Sequence, residues 1–194
     1  MAKNAARQKA LAQLNYLYLL LMMTVIAGIL TAAMTMQYRY GELPCPLCLL
    51  QRVALFGVAF GIMLNFRNGF SYQNTGFSLM FTILLLVLSV RQTLLDIYPR
   101  PGHEYIGSAV FGIHMPVWSI IIAVAILVAY ALGMSVLGGD EYLQKARIEK
   151  FPVLSRIANI VSAFLIALCA INLVSAFIQC GLGQCHTESY KLLQ

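Results

Sequence analysis

Two cysteines separated by two residues, Cys45 and Cys48, lie where a short polar loop meets an apolar run, and Arg52 follows one helical turn later. Pro46 suits the first position of a helix, because the N–H that proline lacks would have no partner there. Cys45 is then the expected N-cap, and Cys48 lies one turn away, within reach of a disulfide. A thiolate here gains from the positive end of the helix dipole and from a nearby cation. This first pair is predicted to exchange electrons between thiols and a carrier dissolved in the membrane.

Arg52 lies four residues beyond Cys48 and therefore on the same face of the predicted helix. Its guanidinium stays charged and offers five hydrogen-bond donors, and an ionisable group inside a span indicates a function. We expect it to stabilise the Cys48 thiolate and to bind a polar oxygen of the carrier. Three alternatives stay open on the residues alone: an arginine that extends to the lipid headgroups, a static disulfide, or half of a zinc site.

The composition indicates a membrane protein. Of the 194 residues, 60% are hydrophobic and only 10% are charged, whereas a soluble domain averages about a quarter charged residues. The net charge of +6 does not indicate nucleic-acid binding, because the charges fall in short loops between apolar runs. We predict an all-α polytopic membrane helix bundle that forms a single transmembrane domain over residues 1–194.

Five apolar runs are long enough to cross a bilayer, which requires about 20 residues. The predicted spans cover residues 16–36, 49–66, 77–98, 116–137 and 157–179. Lysine and arginine are more frequent in the segments that lie inside when the N-terminus is inside, and this bias favours a cytoplasmic N-terminus. With five spans, the C-terminus then lies on the outer side.

A second pair of cysteines, Cys180 and Cys185, follows the fifth span. The chain crosses the membrane four times between Cys48 and Cys180, and an even number of crossings returns it to the same side. Four residues, two of them glycine, separate the second pair, so the loop can close into an exposed disulfide that exchanges readily. A static disulfide, or a zinc site built from both pairs, remains an alternative. If the N-terminus is inside, the shared compartment is oxidising, and disulfides persist there.

Other residues with potential chemistry stand apart from the two pairs. Cys169 lies within the fifth span, where a buried cysteine usually behaves as a small hydrophobe. His103 and His114 fall in the outer segment before the fourth span, as candidates for proton transfer or as ordinary loop histidines. His186 follows Cys185 and favours its thiolate when protonated, or is an ordinary tail residue.

The first motif resembles a known family. Residues 45–52, CPLCLLQR, are similar to the Cys-x-x-Cys-x-x-x-Arg signature of the bacterial disulfide bond formation protein B family, DsbB. Tyr98-Pro99 at the end of the third span and Met115-Pro116-x-Trp118 at the start of the fourth also look like that family. The resemblance covers roughly residues 16–137.

This resemblance implies a quinone-coupled thiol oxidase of the bacterial inner membrane, with ubiquinone or menaquinone as cofactor and a periplasmic DsbA-like thiol oxidase as partner. It implies that Cys48 contacts the quinone, that Cys45 exchanges with the second pair, and that Arg52 lies beside the quinone. Arg91 matches a position near the end of the third span where the family often carries arginine, and it is a further candidate for quinone binding. The N-terminus is then cytoplasmic and the C-terminus periplasmic.

The chain departs from the family pattern in two places. Many members have histidine after the arginine of the third span, where this chain has Gln92, so the proton relay of the quinone site does not carry over. The family's second cysteine pair usually lies between spans three and four, and residues 100–115 contain no cysteine. We therefore expect a DsbB-like four-helix core plus a fifth helix that carries a relocated second pair. Electrons would pass from the second pair to the first pair and on to quinone.

Two interpretations from other functional classes remain open. A membrane thiol-electron transporter of the CcdA-like kind would need cysteines that can face both sides within the spans, and Cys169 is the one candidate. A non-catalytic membrane subunit would carry both pairs as structural disulfides. Quinone separates the three, because only the oxidase is expected to reoxidise its thiols when quinone is supplied.

Overall fold

The computed structural model describes residues 2–98, 109–137, 143 and 145–181. Its long helices, in chain order, are α1 (Ala2–Tyr40), α2 (Pro46–Asn68), α3 (Tyr72–Ile97), α4 (Met115–Leu137) and α5 (Pro152–Cys180). A 3-10 turn, Ile148–Lys150, precedes α5. Over these described ranges, pairing of the β type is limited to an isolated bridge between Val110 and Ile113. The predicted all-α class is confirmed.

All five α-helices are long and apolar enough to cross a membrane, so the five predicted spans are confirmed. The helices extend beyond the apolar runs, most clearly α1, which begins at Ala2 whereas the run begins near residue 16. The charged sequence of residues 140–150 predicts a helix, and a 3-10 turn forms at the end of this segment.

Small residues allow α2 and α3 to approach closely, as is common between helices in membranes. Gly57 faces the ring of Phe81, and Gly61 faces the hydroxyl of Ser78, so a Cβ at either glycine would clash. The Ser78 hydroxyl donates to the backbone oxygen of Val58 at 3.0 Å, which joins the two helices directly. α3 lies between α2 and α4, whereas α5 packs on α1 and α2.

The short loop between α2 and α3 is held by a buried asparagine. Asn65 accepts from the backbone N–H of Ser71 at 2.9 Å and donates to the hydroxyl of Thr75 at 3.3 Å. Ser71 in turn caps α3 by accepting from the N–H of Gln73 at 3.2 Å. The antiparallel pairing fixed by this loop brings the C-terminal half of α3 beside the N-terminal end of α2, where the first pair lies.

The segment before α4 forms a tight turn. Val110 and Ile113 exchange backbone hydrogen bonds of 3.0 and 3.1 Å, and Phe111 and Gly112 between them have positive φ angles of 54° and 75°. The indole of Trp118 donates to the oxygen of Val110 at 3.0 Å. This bond ties the turn to the first turn of α4. The mixed apolar and glycine-rich sequence of residues 104–114 predicts a short helix or loop at the membrane interface, and residues 104–108 of this segment lie outside the described ranges.

Candidate active site

The first pair forms a disulfide at the N-terminus of α2. The two Cα atoms are 5.0 Å apart, and Cys45 caps the helix, with its sulfur accepting from the backbone N–H of Cys48 at 3.1 Å. Pro46 occupies the first turn, so the predicted N-cap is confirmed. Cys45 is buried, whereas Cys48 is partly exposed. Reduction would therefore place a Cys48 thiolate at the positive end of the α2 dipole.

Three neutral side chains connect the disulfide to α3, α2 and α4. The amide nitrogen of Gln92 lies 3.4 Å from both sulfurs of the first pair. The amide nitrogen of Gln51 donates to the oxygen of Gln92 at 2.9 Å, and the hydroxyl of Ser119 donates to the oxygen of Gln51 at 3.1 Å. We call Gln92, Gln51 and Ser119 the amide relay.

The oxidation state of the first pair decides which atom of Gln92 makes a hydrogen bond with the sulfurs. The oxygen of Gln92 also approaches Cys48, at 3.9 Å. A sulfur in a disulfide carries no hydrogen, so this longer contact is not a hydrogen bond in the oxidised protein. Gln92 is therefore the donor, through its N–H groups, to both sulfurs.

Arg52 is buried, with 8% of its surface exposed. Its guanidinium donates to the side-chain oxygen of Gln37 at 2.6 Å, that of Asn172 at 3.3 Å and the backbone oxygen of Ala33 at 3.0 Å. Gln37 donates onward to the hydroxyl of Ser175 at 2.7 Å. We call Arg52, Gln37, Asn172 and Ser175 the arginine network. The side chain is thus turned into the bundle toward α1 and α5, and does not extend to the headgroups.

The C-terminal end of α5 packs beside the first pair. Gln179 is fully buried, and its amide donates to the backbone oxygen of Pro44 at 2.8 Å. Pro44 immediately precedes Cys45, and Gln179 immediately precedes Cys180. Cys180 is disulfide-bonded and is the last residue of α5, while Cys185 lies outside the described residues. Cys180 and the first pair therefore lie at the same end of the bundle.

An apolar groove of about 780 Å³ runs between α1 and α5. Its walls include Thr24, Gly28, Thr31, Thr35, Ile160 and Phe164. A Cβ built on Gly28 would meet nothing within 4 Å, so the space above this residue is open. Thr35 lies within a helical turn of Ala33 and Gln37, the residues of α1 that accept from Arg52. One end of the groove thus approaches the buried cation.

The remaining predicted residues do not join this cluster. Arg91 is exposed on α3, next to the buried Gln92, and its role in quinone binding stays a prediction. Cys169 is a free cysteine on the surface of α5 and is not packed between helices, and its expected behaviour as a small hydrophobe stays a prediction. His114 is exposed. His103 and His186 lie outside the described residues.

The family model described as Disulfide bond formation protein DsbB matches residues 15–104. The match covers somewhat less than half of the chain and supports membership of the DsbB family. The match includes the first pair and Arg52 but ends before α4, so it does not reach the second pair. Neither the curated proteins nor the solved structures contain a match to the chain. This similarity connects the matched region to the machinery of disulfide bond formation and to disulfide oxidoreductase chemistry in general, and Cys45–Cys48 is the disulfide of that region.

Several polar residues of this candidate site were not identified from the sequence. They are Gln37, Gln51, Ser119, Asn172 and Gln179. The sequence does contain a signal for these residues. Most of them are carboxamides inside apolar runs, where an unpaired polar group is costly. Such a signal indicates that partners must be present among neighbouring helices, but it does not identify them.

Proposed function

We propose that this protein is a quinone-dependent protein thiol oxidase that passes electrons from the second pair to the first pair and on to quinone. The observation that carries the proposal is the hydrogen bond from Gln179 to Pro44, 2.8 Å long. It joins the residues that immediately precede Cys180 and Cys45. Disulfide exchange proceeds by direct attack of one sulfur on another, and the position of Cys180 at the same end of the bundle as the first pair supports such an exchange.

The protein partner in this proposal is a DsbA-like thiol oxidase. One of its thiolates attacks a sulfur of the second disulfide, and the other sulfur leaves as a thiolate. The partner's second thiolate then attacks the mixed disulfide, which releases the oxidised partner and leaves the second pair reduced. Two electrons and two protons have moved from the partner to this protein.

Transfer to the first pair follows the same chemistry. A thiolate of the second pair attacks Cys45, and Cys48 leaves as a thiolate. The remaining thiol of the second pair then attacks the mixed disulfide, so the second disulfide re-forms and the first pair is reduced. Cys48 is the better leaving group, because the α2 dipole stabilises its negative charge.

The residues present fit a lipid-soluble quinone, and DsbB-family proteins work with quinones in general. A quinone would supply an acceptor for two electrons and two protons that returns the first pair to its disulfide. Arg52 offers N–H donors suited to a carbonyl oxygen, and the apolar groove of about 780 Å³ suits a long isoprenoid tail. These features support ubiquinone or menaquinone equally.

The charge bias of the loops supports insertion in a bacterial inner membrane with a cytoplasmic N-terminus and a periplasmic C-terminus. Both pairs would then face the oxidising compartment in which a DsbA-like partner works. The rival thiol transporter gains no support from the described residues, because their free cysteine, Cys169, lies alone on the exposed surface of α5.

The test is quinone reduction by the purified protein, followed by the ultraviolet absorbance of quinone. The wild type should reduce quinone when supplied with a reduced periplasmic thioredoxin-like protein, and Cys48→Ser should abolish the reaction. Cys180→Ser should block the protein-driven reaction but keep reduction driven by dithiothreitol, which can reach the first pair directly. Cys169→Ser is the matched control and should keep both reactions.

Two outcomes would contradict the proposal. Full turnover by Cys48→Ser would show that the first pair takes no part in the reaction. If Cys180→Ser lost quinone reduction equally with the protein partner and with dithiothreitol, the proposed transfer from the second pair to the first would be wrong. A subunit with purely structural disulfides predicts no quinone reduction by any form of the protein.

A further inference from the structure

The amide relay directs a buried N–H donor at the sulfurs of the first pair. Gln92 and Gln51 are each 7% exposed, so neither amide can rely on bulk water for its hydrogen bonds. Neutral sulfur is a weak acceptor. A buried amide aimed at two such sulfurs, at 3.4 Å from each, is therefore held there by its other contacts.

Those contacts favour one orientation of each amide. The hydroxyl of Ser119 lies 3.1 Å from the oxygen of Gln51 and 3.2 Å from the backbone oxygen of Met115, and it can donate to either. With its oxygen accepting, Gln51 presents its nitrogen to Gln92. The oxygen of Gln92 is then occupied, and its N–H groups remain for the sulfurs. If the amide of Gln92 were flipped, its nitrogen would face the nitrogen of Gln51, and its oxygen would face the two sulfurs.

We propose that Gln92 is a catalytic hydrogen-bond donor to the first pair, and that Gln51 and Ser119 are positioning residues that keep its N–H on the sulfurs. This inference rests on the proposed thiol oxidase function. When a thiolate of the second pair attacks Cys45, the Cys45–Cys48 bond breaks and the electron pair stays on Cys48. The acceptor of the Gln92 N–H thereby gains a full negative charge.

Hydrogen bonds to a charged acceptor are roughly twice as strong as neutral ones. Gln92 consequently stabilises the reduced first pair more than the oxidised pair. It makes Cys48 a better leaving group and the first disulfide a stronger oxidant of the second pair. The donor is a neutral amide, so it requires no protonation of its own.

The test isolates the first pair. Cys169→Ala, Cys180→Ser and Cys185→Ser together leave Cys45 and Cys48 as the remaining thiols, and no quinone is added. The protein is equilibrated with mixtures of reduced and oxidised dithiothreitol, and the reduced fraction is counted by alkylation and mass spectrometry. In this background Gln92→Leu should lower the equilibrium constant for reduction about tenfold, as expected for the loss of one hydrogen bond to a charged group. Alkylation of Cys48 at neutral pH should slow as well, because less thiolate is present.

Gln92→Glu is the second variant, in case the leucine disrupts packing. It keeps the shape of the side chain but replaces the N–H donor with an acceptor, so it should shift the equilibrium in the same direction. Ser119→Ala should give a smaller shift, about threefold, and Ser119→Thr, which keeps the hydroxyl, should restore the wild-type value. A purely structural role of the hydroxyl would not move this equilibrium.

Two matched controls lie on the same helices. Ser135 of α4 bonds within its own helix, to the oxygen of Ala131 at 2.7 Å, and Gln73 of α3 is exposed at the far end. Ser135→Ala and Gln73→Leu should leave the equilibrium unchanged. A wild-type equilibrium in both folded Gln92 variants would overturn the proposal, as would equal shifts in Ser119→Ala and Ser135→Ala. Neither result bears on quinone reduction, so failure here is distinguishable from failure of the oxidase itself.

Discussion

Two polar networks start at adjacent residues of α2, and they differ in their charge and in the helices that they reach. The amide relay starts at Gln51, is neutral, and runs to α3 and α4 before it ends on the sulfurs. The arginine network starts at Arg52, carries a cation, and runs to α1 and α5. Adjacent residues of an α-helix point about 100° apart, so one helix serves both sides. The difference suggests that one side adjusts the sulfur chemistry while the other holds a cation and attaches α5 to the core.

The two networks should therefore fail in different ways. Hydrogen bonds to charged groups contribute about 1.5–3 kcal/mol each, and neutral ones about 0.5–1.5 kcal/mol. Damage to the arginine network should first reduce the free energy of unfolding and the delivery of electrons by α5. Damage to the amide relay should mainly shift the redox equilibrium of the first pair.

Arg52→Met is expected to have the largest effect. It removes the cation and its hydrogen bonds to the buried oxygens of Gln37 and Asn172, and hydrogen bonds to charged groups contribute about 1.5–3 kcal/mol each. The unfolding temperature in detergent should fall, and quinone reduction should fall with both dithiothreitol and the protein partner. Arg52→Lys keeps the charge but lacks the planar fork of donors. Its unfolding temperature and its rate of quinone reduction should lie between those of the wild type and those of Arg52→Met. Wild-type stability of Arg52→Met would show that the network does not support the bundle.

Asn172→Leu should have an intermediate effect that depends on the reductant. It removes one acceptor of the guanidinium on α5, so the helix that carries the second pair should be held less firmly. Turnover with the protein partner should fall more than turnover with dithiothreitol. Leu173→Ala, on the exposed surface of the same helix, is the control and should change neither rate. Equal losses with both reductants in Asn172→Leu would contradict a positioning role for α5.

Gly28→Leu should have the smallest effect and should be confined to quinone. The side chain would enter the open groove between α1 and α5, and leucine favours helix over glycine by about 1 kcal/mol, so the fold should persist. The KM for a long-tailed quinone should rise several-fold with little change in kcat. Gly76→Leu on α3, where a Cβ also meets open space, should leave the KM unchanged. An unchanged KM in Gly28→Leu would show that the quinone does not bind in the groove.

The sequence predicts the parts of this molecule that depend on local chemistry. Apolar run length identifies the five spans, and Pro46 identifies Cys45 as the N-cap and the first pair as a potential disulfide. The partners of Arg52 and of the sulfurs are not predictable in this way. Asn172 lies 120 residues from Arg52, and Gln92 lies 47 residues from Cys45. Helical periodicity assigns such residues to a face of a helix, but packing decides which faces meet.

Transfer between the two pairs is the central claim, and trapping its mixed disulfide tests it most directly. Cys48→Ser removes the thiol that resolves the exchange, so Cys45 should attack the second disulfide and remain bound to it. Protein from acid-quenched membranes, alkylated and digested without reductant, should contain the peptide of Cys45 linked to a peptide of Cys180 or Cys185. Recovery of Cys45 as an alkylated free thiol in every molecule, with Cys180 and Cys185 still joined to each other, would contradict the claim.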